Sequence, residues 1–169
     1  MLNLLVHIMT TKQTDITQRA RNFIITHRAA SLATVDKDGV PQVVYVYCLV
    51  DDDLALYFMT RVESRKFENI VNQPKVGMSF VSEKTMEAIH LTGVAERVND
   101  LESEQSIWFE LMKLRSPDTA NEPVPVVQMF ERGATGEVAI IKVTPYEMTF
   151  ATYQKAKEGH YIDFWQKVI

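Results

Sequence analysis

The segment Leu54-Ala-Leu-Tyr-Phe-Met-Thr-Arg-Val-Glu-Ser-Arg-Lys66 predicts a strand that leads directly into a helix. Residues Leu54–Thr60 have the apolar and aromatic content of a strand. Residues Glu63–Asn72 carry apolar side chains at helical spacing, so we expect a short helix there. Its first turn contains two cations, Arg65 and Lys66, at the end of the helix where the dipole disfavours positive charge. Helix propensity therefore does not explain their position.

A bound anion would explain these cations. Free backbone N–H groups of the first turn, the hydroxyls of Thr60 and Ser64, and the charges of Arg65 and Lys66 would converge on it. Arg61 adds a third positive charge to the cluster. Each charge-assisted hydrogen bond contributes roughly 1.5–3 kcal/mol, so the set would hold a phosphate monoester firmly. The alternative is an ordinary solvated turn, because short basic segments are common on protein surfaces.

Further strands surround this junction. The predicted strands are Ala30–Asp36, Pro41–Val50, Leu54–Thr60, Lys75–Ser82, Met86–Val98, Glu137–Thr144 and Tyr146–Tyr153, a count of six or seven. The first two are joined by Lys37-Asp38-Gly39, which is typical of a hairpin turn. Gly93 inside a strand indicates a bulge or sharp bend. Sequential antiparallel strands favour a small barrel or sandwich over a parallel sheet.

Helices are predicted before and after these strands. One begins at Thr14 or Asp15 and runs to about Arg28, and a second spans Leu101–Leu114. In the second, we expect Trp108, Phe109, Leu111 and Met112 to face the core. The long connection Arg115–Gly136 follows it. We divide the chain into an N-terminal extension (1–13), one domain (14–153) and a tail (154–169) that packs on the domain or on a dimer partner.

Composition excludes several classes of protein. The chain has 169 residues, 46% hydrophobic and 24% charged, which is typical of one globular domain. Its net charge of -4 disfavours broad binding to nucleic acid. No apolar run reaches the roughly 18 residues of a membrane span, and we expect no signal peptide. The single cysteine, Cys48, fits a reducing compartment, so we expect a cytoplasmic protein.

Five short motifs occur in one order along the chain. They are Ala33-Thr34-Val35-Asp36, Asp38-Gly39-x-Pro41, Thr60-x-x-x-Ser64-Arg65-Lys66, Asn72-x-Pro74 and Gly93-x-Ala95-Glu96. In this order and spacing the chain resembles the pyridoxamine 5′-phosphate oxidase-like FMN-binding split barrels. The resemblance runs without an obvious gap from Ala33 to Val98. The motifs together are specific for the superfamily and not for one activity.

The resemblance implies a mainly β fold, a six-stranded antiparallel Greek-key split barrel, that forms a homodimer and binds FMN between the subunits. By position, the FMN phosphate would be bound by Thr60, Ser64, Arg65 and Lys66. The flavin ring edge would lie along Tyr45, Val46 and Tyr47, mainly against backbone groups. Met59 takes the place of a tyrosine.

The chain also departs from the oxidase. A second phosphate-binding arginine falls at Val44 and a flavin-contacting glutamine falls at Ala88, so FMN binding could be weaker or the cofactor could differ. The residues that hold the substrate phosphate of the oxidase correspond to Leu49, Ser106 and Glu110. Because a glutamate repels a phosphate, the resemblance argues against pyridoxamine phosphate as the substrate.

Three functions follow from the resemblance. The first is an FMN-dependent oxidoreductase with a different small-molecule substrate, in which hydride passes between substrate and flavin. The second is a non-enzymatic flavin- or haem-binding module for storage, sensing or stress response. The third is a deazaflavin-dependent reductase, although no groove for its longer tail is evident. Catalytic residues are not readable from the sequence, because a flavin carries this chemistry itself.

The remaining candidate residues carry weaker predictions. The histidines are His7, His27, His90 and His160, without metal-ligand spacing, so we expect no metal site. His160 is either a haem ligand or a solvated side chain. Cys48 is predicted to be a packed thiol. Trp165 either covers the flavin, seals a dimer or packs normally, and residues 130–133 (Phe-Glu-Arg-Gly) are expected to approach the cofactor groove from a partner subunit.

Overall fold

The fold is a single antiparallel sheet of eight strands with flanking helices. A computed structural model describes residues 15–115, 122–125, 127–128, 136–154, 159 and 161–166. The strands are β1 (Ala29–Val35), β2 (Pro41–Tyr47), β3 (Leu49–Val50), β4 (Leu56–Arg61), β5 (Lys75–Ser82), β6 (Glu87–Arg97), β7 (Val138–Thr152) and β8 (Ile162–Gln166). The helices are α1 (15–26), α2 (Arg65–Asn72) and α3 (Leu101–Met112), and residues 125 and 127–128 are also helical. The predictions for residues 1–13, for His160 and for residues 130–133 lie outside the described residues.

The sheet order is β2-β1-β5-β6-β7-β4-β3, and β8 adds to the free edge of β7. The sheet curls until β2 and β4 approach each other without pairing, which leaves an open seam in a half-barrel. The prediction of a mainly β, antiparallel barrel-like fold is therefore confirmed. None of the helices in the described residues is long and apolar enough to cross a lipid bilayer.

Two predicted strands are one. Residues Glu137–Thr144 and Tyr146–Tyr153 were expected to be separated by Pro145, but β7 runs continuously through it. Pro145 lies opposite Gly93 of β6, and the strand register shifts between Thr92 and Gly93. A bulge tolerates a proline because a ladder hydrogen bond is already missing there. The prediction of a bulge at Gly93 is confirmed.

The opposite error occurs at Cys48, where the predicted strand Pro41–Val50 is divided into β2 and β3. The Cys48 backbone N–H donates to the carbonyl of Arg28 at 2.9 Å, at the point where the two strands divide. The Cys48 side chain is fully buried, and burial raises the pKa of its thiol. The prediction of a packed thiol is confirmed.

The inner side of the half-barrel contains the main core. α1 contributes Ile16, Ala20, Phe23 and Ile24, the face predicted for it. Trp165 of β8 is 6% exposed and belongs to the same core, so ordinary packing is its observed role. Strand β8 was not predicted, because only its pairing with β7 distinguishes it from a polar tail.

A second apolar cluster lies between α3 and the outer side of the sheet. It contains Met59 of β4, Ile140 of β7 and Leu111 of α3, with Tyr47 and Trp108 packed against it. Phe109 is 65% exposed, so its prediction as a core residue is wrong. At helical spacing, Phe109 lies on a different face from Leu111 and Trp108, which carry the contact with the sheet.

Candidate functional site

The junction between β4 and α2 has the predicted strand-to-helix form. Ser64 is the N-cap of α2, with extended backbone angles (φ -79, ψ 146), and its hydroxyl accepts a hydrogen bond from the Phe67 backbone N–H at 3.3 Å. Thr60 is buried, and its hydroxyl lies 2.9 Å from the Ser64 hydroxyl. The two hydroxyls therefore meet at the beginning of α2, where free N–H groups favour an anion.

The two cations of the first turn have no acidic partner among the described residues. Arg65 is exposed and Lys66 is half-buried. Partial burial lowers the pKa of Lys66, because its charged form loses water. A half-buried ammonium beside a helix N-terminus, with no partner carboxylate in the described ranges, would be stabilised by a bound anion.

Arg61 does not belong to this set, although the sequence placed it in the cluster. Its guanidinium forms an ion pair with Glu63, which cancels its charge locally. The backbone of the same turn is bonded to the residue before β7, since the Val62 N–H donates to the Glu137 carbonyl at 3.0 Å. Arg61 and Glu63 thus pair with each other within the turn.

The predicted β2 residues face this junction across the open seam. Tyr47 packs against the cluster that contains Met59. β2 and β4 approach each other without pairing, and β3, which follows β2 after Cys48, pairs Leu49 with Tyr57 of β4. The seam therefore brings part of β2 close to β4.

The candidates differ in what their side chains offer. Val46 is in the main core and Met59 is 6% exposed, so both can reach a ligand mainly through their backbones. Tyr45 is 69% exposed, and its ring stands edge-on to that of Tyr47 with the centroids 6.4 Å apart. The β2 segment thus presents backbone edges together with one exposed aromatic ring.

The buried side of α2 differs from the prediction. Phe67, Ile70 and Val71 were expected to form the buried stripe, but Val71 is exposed, and the fully buried residues are Asn69 and Ile70. Asn69 donates through its side-chain amide to the Thr34 hydroxyl of β1 at 3.0 Å. No local sequence signal identifies Asn69 as buried, because its partner Thr34 lies in β1.

An open groove of about 490 Å³ runs along the exposed side of α2. Its lining consists of Val62, Glu63, Ser64, Phe67, Glu68, Val71 and Asn72. The groove is apolar and acidic, and neither Arg65 nor Lys66 lines it. It meets the anion-binding donors only at Ser64, so it is a different surface from the one that would hold a phosphate.

The donor set fits a phosphate monoester such as the one that ends FMN. A phosphate dianion needs several hydrogen-bond donors and compensating charge, and the junction supplies hydroxyl, backbone N–H, ammonium and guanidinium donors. No side chain of the described residues already neutralises the two cations. Thr60, Ser64, Arg65 and Lys66 are thus the residues that would hold the group.

Comparison with known proteins agrees with this fold. A family profile described as Pyridoxamine 5'-phosphate oxidase matches residues 16–151. Among curated relatives, the pyridoxine/pyridoxamine 5'-phosphate oxidase of Rhizobium leguminosarum bv. trifolii is 38% identical over 76 residues. That match covers 45% of this chain and 37% of the relative, so the chain aligns with little more than a third of the relative's length.

Solved structures show the same split-barrel fold. A pyridoxamine 5'-phosphate oxidase-related, FMN binding protein from Nostoc punctiforme superposes with a TM-score of 0.61 at 16% identity, covering 89% of this chain and 85% of that chain. A heme binding protein from Mycobacterium smegmatis superposes with a TM-score of 0.64 at 15% identity, covering 89% of this chain and 57% of that chain. At these identities the likeness establishes the fold alone.

Proposed function

We propose that this chain, which belongs to the pyridoxamine 5'-phosphate oxidase family, is an FMN-binding flavoprotein. The observation that carries the proposal is the pair of cations at the beginning of α2, Arg65 and Lys66, which no carboxylate in the described part of the chain neutralises. Beside them the Thr60 and Ser64 hydroxyls lie 2.9 Å apart. These groups form a phosphate anchor, and the backbone edge of β2 across the seam would border the flavin ring.

We further propose that the protein is an oxidoreductase whose substrate is not pyridoxamine phosphate. Bound FMN supplies hydride chemistry, while the protein positions the reactants and excludes water. Ser106 and Glu110 lie one turn apart on α3, and Glu110 is exposed and pairs with Lys113 at 2.6 Å. This face of α3 thus carries an ion-paired carboxylate where the oxidase would have an arginine, so it offers a substrate phosphate no arginine at that position.

The proposed assembly is a homodimer with the cofactor between subunits. The outer face of β2, β1, β5, β6 and the second half of β7 is not covered by a described helix. Cross-strand registers place Tyr45 at one end of a row and Phe164 at the other, with Ser31, Ser79, His90 and Thr149 between them. Tyr45 and Phe164 are both more than half exposed, as expected of a face that another subunit covers.

The dimer can be tested by sedimentation. Val43, on the same face, is 67% exposed, so Val43→Glu should convert a dimer into a monomer without unfolding it. A wild-type protein that sediments as a monomer with FMN bound would overturn this part of the proposal. A cytoplasmic location is also proposed, supported by the single buried cysteine.

The cofactor is tested by the absorption spectrum of the purified protein, followed by mass analysis of the ligand released on denaturation. The proposal expects the bands of an oxidised flavin and the mass of FMN. A haem spectrum, a deazaflavin mass, or a protein that neither contains nor takes up FMN would each contradict it. Bleaching of the bound flavin by reduced nicotinamide or another donor within turnover time would then identify an enzyme and not a storage module.

A further inference from the structure

A buried polar contact holds α2 one helical turn after Arg65 of the phosphate anchor. The Asn69 amide of α2 donates to the Thr34 hydroxyl of β1 at 3.0 Å. Asn69 is 4% exposed and Thr34 is 2% exposed, so both groups are removed from water. The contact joins the helix that carries the cations to a strand far from it in sequence.

Because its surroundings are apolar, this hydrogen bond favours one position of α2 on the sheet. Ile70 is next to Asn69 in the helix, and Leu32 precedes Thr34 on the inner face of β1. Ile70 and Leu32 both belong to the main core. A buried amide or hydroxyl without a partner costs roughly 1–3 kcal/mol. A turn or shift of α2 on the sheet would separate the pair and leave two such groups unpaired, whereas apolar contacts alone tolerate sliding.

The orientation of α2 determines where the side chains of Ser64, Arg65 and Lys66 lie. The helix has only eight residues, a length at which packing and not intrinsic helicity determines the geometry. Arg65 lies one turn before Asn69, and Lys66 lies three residues before it. Thr60, by contrast, is held in β4, paired with Ala139 of β7. The position of the two cations relative to the Thr60 hydroxyl therefore depends on the orientation of α2.

We propose that Asn69 is a positioning residue for the cofactor phosphate, acting through its hydrogen bond to Thr34. The pair holds α2 so that Ser64, Arg65 and Lys66 converge with Thr60 on one phosphate group. The inference rests on the proposed FMN binding and adds two residues that do not themselves touch the cofactor.

The test compares affinities for FMN and for riboflavin, which has the same ring and no phosphate. The variants are Asn69→Leu, which removes the amide, and the matched pair Thr34→Val and Thr34→Ser. Thr34→Val removes the hydroxyl at nearly constant shape, and Thr34→Ser keeps the hydroxyl. Ile89→Val, in the core on β6, is the control for a loss of stability without a loss of positioning.

We expect Asn69→Leu and Thr34→Val to weaken FMN binding by about tenfold, with riboflavin binding changed by less than about twofold. Thr34→Ser should keep most of the FMN affinity, and Ile89→Val should keep the wild-type ratio of FMN to riboflavin affinity. If Asn69→Leu does not fold, Thr34→Val against Thr34→Ser decides the matter.

Two failures are distinguishable. If wild-type protein prefers FMN over riboflavin and Thr34→Val preserves that preference, the positioning role is wrong and the phosphate anchor stands. If the wild-type protein has no preference for FMN, the proposed function is wrong and the positioning role falls with it.

Discussion

The Thr60 hydroxyl lies 2.9 Å from the Ser64 hydroxyl, which joins the last buried residue of β4 to the N-cap of α2. The same Ser64 oxygen accepts from the Phe67 N–H, so one side chain serves both the helix and the proposed anchor. These two roles of Ser64 can be separated, because capping needs an oxygen acceptor whereas phosphate binding needs a group without negative charge.

Ser64→Asp should keep the helix and lose the cofactor. Aspartate caps helices as well as serine does, so the free energy of unfolding should change by less than about 0.5 kcal/mol. The added carboxylate would repel the phosphate and neutralise Arg65 or Lys66, so FMN affinity should fall by about tenfold or more. Urea unfolding and a fluorescence titration with FMN measure the two effects.

The matched control is Asp100→Ser, the reverse exchange at the N-cap of α3, where Asp100 accepts from the Ser103 N–H at 2.8 Å. It should leave both stability and FMN affinity near the wild-type values. Unchanged FMN binding in Ser64→Asp would remove Ser64 from the anchor.

As pH rises, FMN affinity should begin to decrease at a lower pH than the deprotonation of an ordinary lysine would produce. Partial burial lowers the pKa of Lys66 in the free protein, so the ammonium that binds phosphate is lost below the usual lysine range. Lys66→Arg keeps its charge and should extend binding to higher pH, while Lys66→Met should weaken binding and flatten the profile. Titrations of FMN from pH 7 to 10, with riboflavin as the reference ligand, test this; a profile that is identical in all three proteins would refute it.

Gly93→Ala should destabilise the sheet at its bulge. A Cβ at Gly93 would lie 2.8 Å from the Thr144 carbonyl oxygen and 2.9 Å from Val143 Cγ1. Overpacking of this kind typically costs about 1–3 kcal/mol. Gly77→Ala, on β5, is the matched control, because its Cβ would meet Ala33 only at 3.8 Å. Thermal unfolding should show a lower Tm for the first variant alone, and equal Tm values would contradict the bulge geometry.

Stability should decline between about pH 10 and 12 partly through Tyr57. Burial raises the pKa of Tyr57 to about 12, helped by its hydrogen bond to Asp51 at 3.0 Å and by the charges of Asp51, Asp53 and Glu96. The unfolded chain loses this proton near pH 10, so the folded state binds more protons in that range and its stability falls as pH rises. Tyr57→Phe should therefore lose less stability than wild type between these pH values in urea unfolding. A parallel decline in both proteins would contradict the assignment.

The elements nearest the anchor could be predicted from local sequence. The strand that becomes β4, the helix that becomes α2 and the grouping of Thr60 with Ser64 all depend on residues within one short segment. The neutralisation of Arg61 by Glu63 was not foreseen, because spacing indicates which charges are near each other but not which of them pair.

Features that depend on distant segments could not be predicted in the same way. Pro145 ends a strand by every local rule, and only the bulge opposite Gly93 of β6 allows β7 to continue. Asn69 is likewise buried together with its hydrogen-bond partner, Thr34 of β1, which lies 35 residues earlier in the chain. Both are pairings between positions far apart in the chain, which local patterns do not encode.

The most direct test of the phosphate anchor is the binding of FMN and riboflavin to the wild-type protein and to the double variant Arg65→Ala, Lys66→Ala, with Lys75→Ala as a control cation outside the junction. Each lost charge-assisted hydrogen bond contributes roughly 1.5–3 kcal/mol, so the double variant should bind FMN at least about a hundredfold more weakly. Riboflavin affinity should stay the same in all three proteins. If instead FMN affinity survives the double variant, the phosphate is not held at the beginning of α2.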